Sequence, residues 1–156
     1  MKNKRKLAVL IGIGIVLFFI FANALMGYQA SHTLSGFFAR LFGAGMGQGV
    51  ETTDFVVRKL AHATEYACLG AMITILNHTP LVAKGVPQIW KTLFCLLSVG
   101  VLDEFFQSFS DRNGSVQDVV LDFLGGIFGI VVVLLSMKLI SCLRKRKNKQ
   151  KEGDSL

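Results

Sequence analysis

Apolar residues in this chain come in long blocks separated by short polar breaks. The first block runs from about Leu7 to Leu25. Three more follow, near Val56–Leu76, Ile89–Phe109 and Val116–Leu139. Each approaches the roughly 20 residues that a helix needs to cross a bilayer's hydrocarbon. The pattern predicts an all-α fold, a four-helix transmembrane bundle. Between the first two helices, Leu34, Phe37, Phe38, Leu41 and Phe42 recur at i, i+3, i+4, i+7, i+8, with Ser31, Ser35 and Ala39 opposite. That spacing predicts an amphipathic outer segment lying in the membrane interface. Gly43, Gly45, Gly47 and Gly49 follow it, and a re-entrant hairpin is the alternative.

The polar positions inside the later blocks are also periodic. Arg58, His62 and Glu65 fall at i, i+4, i+7 and share a stripe with Leu69. Asp103 and Glu104 lie one helical turn before Gln107. Asp118, Asp122, Gly125 and Gly129 follow i, i+4, i+7, i+11, with acids at one end and small residues beyond. Gly125-x-x-x-Gly129 is a close-approach motif of membrane helices.

Composition sharpens the reading. A hydrophobic content of 52% gathered into blocks points to one membrane domain, residues 1–143, packed in lipid. The net charge of +7 sits mostly at the ends. Lys2, Lys4, Arg5 and Lys6 precede the first block. Arg144, Lys145, Arg146, Lys147, Lys149 and Lys151 follow the last. Basic runs beside membrane segments serve as topology anchors rather than nucleic-acid contacts. They place both termini in the cytoplasm, which four crossings satisfy, and leave residues 144–156 as a basic cytoplasmic tail, expected to be disordered. The link around Lys84, Pro87 and Lys91 then lies inside as well. Ala22-Asn23-Ala24 after a basic start also resembles a signal-peptide cleavage site, but the long apolar run favours a retained helix. Cys68, Cys95 and Cys142 have no paired spacing and read as free, buried, small hydrophobes.

With this topology, the polar start of the second helix, the polar end of the third and the polar start of the fourth all fall in the outer half of the membrane. Ionisable groups there are expensive, roughly 2.5–3.5 kcal/mol at the centre of an inserted helix, so they face one another or a wet cavity. Glu65, Asp103, Glu104, Asp118 and Asp122 supply five potential negative charges, and Arg58, Lys59 and Arg112 three positive ones. The deficit calls for protons or a cation. Simpler roles exist. Ser115-x-x-Asp118 has the form of a capping box. Arg58 and Lys59 can snorkel to outer head groups. Arg112-Asn113-Gly114 suits an ordinary turn, His62 and Glu65 can tie helices together by hydrogen bonds, and Phe105-Phe106 suits a lipid-facing or packing surface.

Three motifs, in order, resemble the VanZ-like family of bacterial membrane proteins: Arg58-Lys59-x-x-His62-x-x-Glu65-Tyr66-x-x-Leu69-Gly70, Asp103-Glu104-x-x-Gln107-x-Phe109, and Arg112-x-Gly114-Ser115-x-x-Asp118-Val119. Gly125 and Gly129 match glycines that follow. The resemblance spans roughly Thr53 to Ile130. It departs at Ala63, where the family often has an aromatic, at Ser110 and Asp111, where proline and glycine are common, and at Asp122, where asparagine is frequent. It implies a multi-pass protein of the bacterial cytoplasmic membrane. The member that gives the family its name is associated with resistance to teicoplanin-type glycopeptide antibiotics.

Three functions compete on these residues. The first is a cell-envelope protein with an outward-facing polar pocket, formed by Arg58, Lys59, His62, Glu65, Tyr66, Asp103, Glu104, Gln107, Arg112, Ser115, Asp118 and Asp122. It would bind a lipid-linked or lipophilic antibiotic ligand. The second is an enzyme: His62, Glu65, Asp103, Glu104 and Asp122 holding a divalent metal against a phosphoester. The spacing matches no recognised metal motif, and no cofactor is expected. The third is a small proton- or cation-coupled carrier. The glycine stripe also allows a homodimer.

Overall fold

The computed structural model describes residues 2–25, 33, 50–77, 87–109 and 115–153. Among them the chain is all-α: α1 is Lys2–Leu25, α2 Val50–Asn77, α3 Pro87–Gln107 and α4 Val116–Gly153. The amphipathic segment expected near residues 34–42 lies outside the described residues, as do Arg112 and the links that join the helices.

The helix bounds differ from the hydropathy pattern at several ends, and α1 already begins at Lys2, within the basic run. The α2 backbone starts at Val50, ahead of the apolar block. α3 ends at Gln107 and closes with a tightened turn, in which Phe109 N–H donates to the Phe106 carbonyl at 3.1 Å. The largest difference is at the C-terminus. The tail expected to be disordered continues α4 to Gly153. Its arginines, lysines and glutamine are good helix formers, and no proline or glycine interrupts it before Gly153. At 38 residues and 1.5 Å per residue, α4 is roughly 57 Å long, far more than the ~30 Å of a hydrocarbon core.

α1 and α4 contain spans long and apolar enough to cross a membrane, Asn3–Leu25 and Val116–Asn148. α2 and α3 are interrupted by the charged residues that build the polar cluster. The distribution of side chains is inverted relative to a water-soluble domain. Phe18, Phe94, Phe109, Trp90 and Phe128 stand on the exterior, each about two-thirds exposed or more, while Asp103, Glu104, Gln107 and Asp122 are buried. Large exposed apolar surface with acids inside is what a lipid solvent selects. Cys68, Cys95 and Cys142 are free but lie on this exterior, not in the core. Hydropathy alone marks a cysteine as apolar without saying which side of the helix faces the bundle.

The core is small. Ile20, Tyr66, Leu69, Leu96 and Ile130 meet at its centre. α1 belongs to this bundle: Ile20 and Ala24 are fully buried. α2 and α4 make the closest pair, and glycines are the reason. A Cβ at Gly129 would collide with the Ala67 carbonyl, one at Gly70 with the Gly126 carbonyl, and one at Gly125 would sit 2.5 Å from the Ala63 oxygen. The Gly125-x-x-x-Gly129 stripe is therefore spent on internal packing between α2 and α4, not on a surface left for a second copy.

Candidate functional site

The C-terminal ends of α1 and α3 and the N-terminal parts of α2 and α4 meet at one end of the bundle. The basic start of α1 and basic end of α4 are at the other. Polar side chains from all four helices converge at the first end.

Glu104 and Ser115 set its rim. Ser115 caps α4: its Oγ accepts from Gln117 N–H at 3.2 Å. The second half of the expected capping box is replaced. The Ser115 N–H donates to Glu104 Oε2 at 2.8 Å, so α3 and not Asp118 satisfies that group. Asp118 instead forms an ion pair with Lys59, across the α2–α4 contact that the glycines allow. Snorkelling is thus not the role the structure gives Lys59. Both partners are about 30% exposed, so the pair orients the helices more than it stabilises them. Among the described residues Arg58, one turn before His62, forms no ion pair.

Deeper in, Gln107 Nε2 donates to Asp103 Oδ2 and to Glu104 Oε1, both at 3.2 Å, and holds these adjacent acids in place on α3. His62 Nδ1 is 3.9 Å from Asp103 Oδ2 and 4.0 Å from Glu65 Oε2. One donor atom each of His62, Asp103 and Asp122 lies within 4.8 Å of the others. Asp122 is 1% exposed, and among the described residues its Oδ1 is buried without a hydrogen-bond partner. Tyr66 is fully buried beneath this group, with its hydroxyl beside Asp103. Gly100 of α3 lies against its ring: a Cβ there would make ordinary contact at 3.8 Å.

Asn23 completes the cluster. Its Nδ2 donates to Glu65 Oε1 at 2.7 Å and ties α1 to α2. In the sequence Asn23 stands only as a lone polar residue in an apolar run. That is a signal of a buried partner, but it does not say which helix supplies it. At the opposite end of the bundle, Asn77 Nδ2 donates to Thr92 Oγ1 at 2.9 Å, a second interhelical tie that hydropathy does not reveal.

The structure therefore gathers His62, Glu65, Tyr66, Asp103, Glu104, Gln107 and Asp122 into one interior group. It puts Lys59, Asp118 and Ser115 at its margin, with Arg58 one turn away on α2. A bundle with this interior can do two things chemically: hold a cation among oxygen and imidazole donors, or meet a polar head group with its lipid-exposed rim.

A family model described as VanZ/LLP1 matches residues 7–138, from within α1 through α2 and α3 into α4. The chain belongs to the VanZ-like family. No curated protein and no solved structure matches it. Membership and the two long apolar helices make it a VanZ-like membrane protein.

Proposed function

We propose that this VanZ-like protein crosses the bacterial cytoplasmic membrane four times with both ends in the cytoplasm, and that its polar cluster receives the head group of an anionic amphiphile at the outer leaflet. In that role it contributes to resistance against teicoplanin-type glycopeptides, whose target is a lipid-linked precursor on the same side of the membrane.

The observation that carries this reading is the burial of Asp103, Glu104, Gln107 and Asp122 at one end of a bundle whose exterior is apolar. Ionic groups are not retained in such a place without a task or a tight structural use, and Asp122 Oδ1 has no hydrogen-bond partner among the described residues to explain it. The basic residues at the far end supply the orientation: lysine and arginine stay on the cytoplasmic side, so the cluster faces out. Lys59 is engaged by Asp118, which leaves Arg58, among the described residues, as the guanidinium for a phosphate or carboxylate on the ligand.

The test expresses the chain in a teicoplanin-susceptible Gram-positive host. Wild type is expected to raise the inhibitory concentration, and Arg58→Ala to return it to the vector level at equal membrane abundance. Native mass spectrometry of the purified proteins should show anionic lipid retained by wild type. Removing one charge-assisted contact of about 1.5–3 kcal/mol weakens retention by roughly 10–100-fold. Full resistance and full lipid retention in Arg58→Ala would refute the proposal.

A further inference from the structure

His62, Asp103 and Asp122 come from three different helices, yet each presents a donor atom within 4.8 Å of the others. Oxygens on opposite sides of a cation with bonds of about 2.3–2.6 Å are separated by nearly that distance. First-row transition ions bind at about 2.0–2.2 Å, so binding one draws the donors in by roughly an ångström.

Two features argue that the group is more than a chance gathering of acids. Asp122 is 1% exposed, and its Oδ1 meets no hydrogen-bond donor among the described residues, which leaves bonding capacity on a buried carboxylate that lies within 4.8 Å of donor atoms of His62 and Asp103. The neighbouring acids are each braced through at least one oxygen, while Asp103 Oδ1 and Glu65 Oε2, like Asp122 Oδ1, accept no hydrogen bond among the described residues. Gln107 donates to Asp103 Oδ2, Asn23 donates to Glu65 Oε1, and Ser115 N–H and Gln107 donate to Glu104. Braced carboxylates beside an imidazole are the usual form of a metal site, in which outer hydrogen bonds fix the ligands before the ion arrives. The nearest cationic side chain, Lys59, is drawn to the rim by Asp118. A mixed imidazole and carboxylate set suits manganese, iron(II) or zinc better than magnesium.

We propose that His62, Asp103 and Asp122 form a binding site for a divalent first-row transition ion, with Glu65 Oε2, 4.0 Å from His62 Nδ1, as an adjacent fourth donor. Three or four protein donors leave positions for water or for an oxygen of a ligand. The site does not depend on the head-group reading above, because the ion can bind whether or not an amphiphile does.

The test uses the full-length protein, stripped of metal by chelation and placed in uncharged lipid nanodiscs. Mn²⁺ is titrated and free ion followed by electron paramagnetic resonance, with elemental analysis after desalting. Wild type is expected to hold a single ion per chain, with a nitrogen coupling in the pulsed spectrum. His62→Ala should lose that coupling. Asp122→Asn, nearly isosteric and therefore the variant least apt to disturb folding, should weaken binding by more than the roughly 10–100-fold that loss of an outer-shell partner costs. Helical circular dichroism confirms that both variants are folded, and Cys142→Ala, on the exterior, should bind as wild type. Absence of stoichiometric binding in wild type would overturn the proposal. So would equal binding by wild type and folded Asp122→Asn, or an unchanged nitrogen coupling in His62→Ala.

Discussion

Gly129→Leu is expected to destroy the bundle. A side chain at this position meets the backbone of Ala67 and not a movable side chain, so α2 and α4 cannot keep their present separation. Ordinary overpacking costs roughly 1–3 kcal/mol because neighbours can rearrange. A backbone carbonyl inside a helix cannot, and the cost here should exceed that range. Even Gly129→Ala should be destabilising, although alanine in a helix is normally better than glycine by about 0.5–1 kcal/mol. Gly14 supplies the contrast. Nothing lies within 4 Å of a Cβ there, so Gly14→Ala should be neutral or slightly stabilising. Unfolding in detergent by a graded SDS titration measures all three. Stability of Gly129→Leu equal to wild type would mean that α2 and α4 do not touch along this stripe.

Asp122→Asn should have the opposite sign for stability. An acid buried to 1% exposure beside Asp103 adds electrostatic cost to the folded state, which the Lys59 charge, paired with Asp118, offsets only in part. The amide keeps the volume and removes the charge. Replacing buried charge commonly stabilises a protein, and a gain of about 1 kcal/mol or more is expected for the metal-stripped protein. The same substitution should abolish the response to metal. Wild type gains about 2.7 kcal/mol when a ligand is present at a hundredfold excess over its Kd, whereas Asp122→Asn should gain almost nothing from Mn²⁺. The two curves then cross: the variant is the more stable without metal and the less stable with it. A variant that is less stable under both conditions would make Asp122 a structural residue that the hydrogen-bond pattern fails to explain. The conflict between a stable interior and a charged one is the usual mark of a site kept for function.

Much of this arrangement was legible in the sequence. Helical spacing put Arg58, His62 and Glu65 on one stripe, and Asp118, Asp122, Gly125 and Gly129 on another. Alternation of helix direction put the polar ends of three helices at one level. In the structure His62, Asp103 and Asp122 from three helices come together, and Gly125 and Gly129 pack against α2. What spacing cannot give is the partner across a helix contact, because register between helices depends on side-chain volumes from several segments at once. Lys59 illustrates this. On its own helix it looks like a residue reaching for head groups, and only the approach permitted by Gly125 and Gly129 brings Asp118 to it. Asn23 is similar: a single polar residue in an apolar helix has no periodicity to declare its face. Cys68, Cys95 and Cys142 went to the exterior because apolar positions of a lipid-solvated bundle face outward as readily as inward. The helical tail escaped notice because a run of like charges resembles a disordered segment in composition, while its residues individually favour helix.

The central claim is that the imidazole and acids of separate helices share one buried compartment, and proximity in the membrane tests it most directly. Cys68, Cys95 and Cys142 are first replaced by alanine, and cysteine pairs are introduced at His62 with Asp122 and at His62 with Ser136. Position 136 is on the same helix as Asp122, displaced along it by roughly 21 Å at 1.5 Å per residue. A short membrane-permeant bis-methanethiosulfonate reagent is applied to native membranes, and linked protein is read by mass spectrometry of peptides. The 62–122 pair should be captured within single chains and the 62–136 pair should not. Capture of 62–136 alone, or of neither pair while each cysteine still reacts with a monofunctional reagent, would contradict the account.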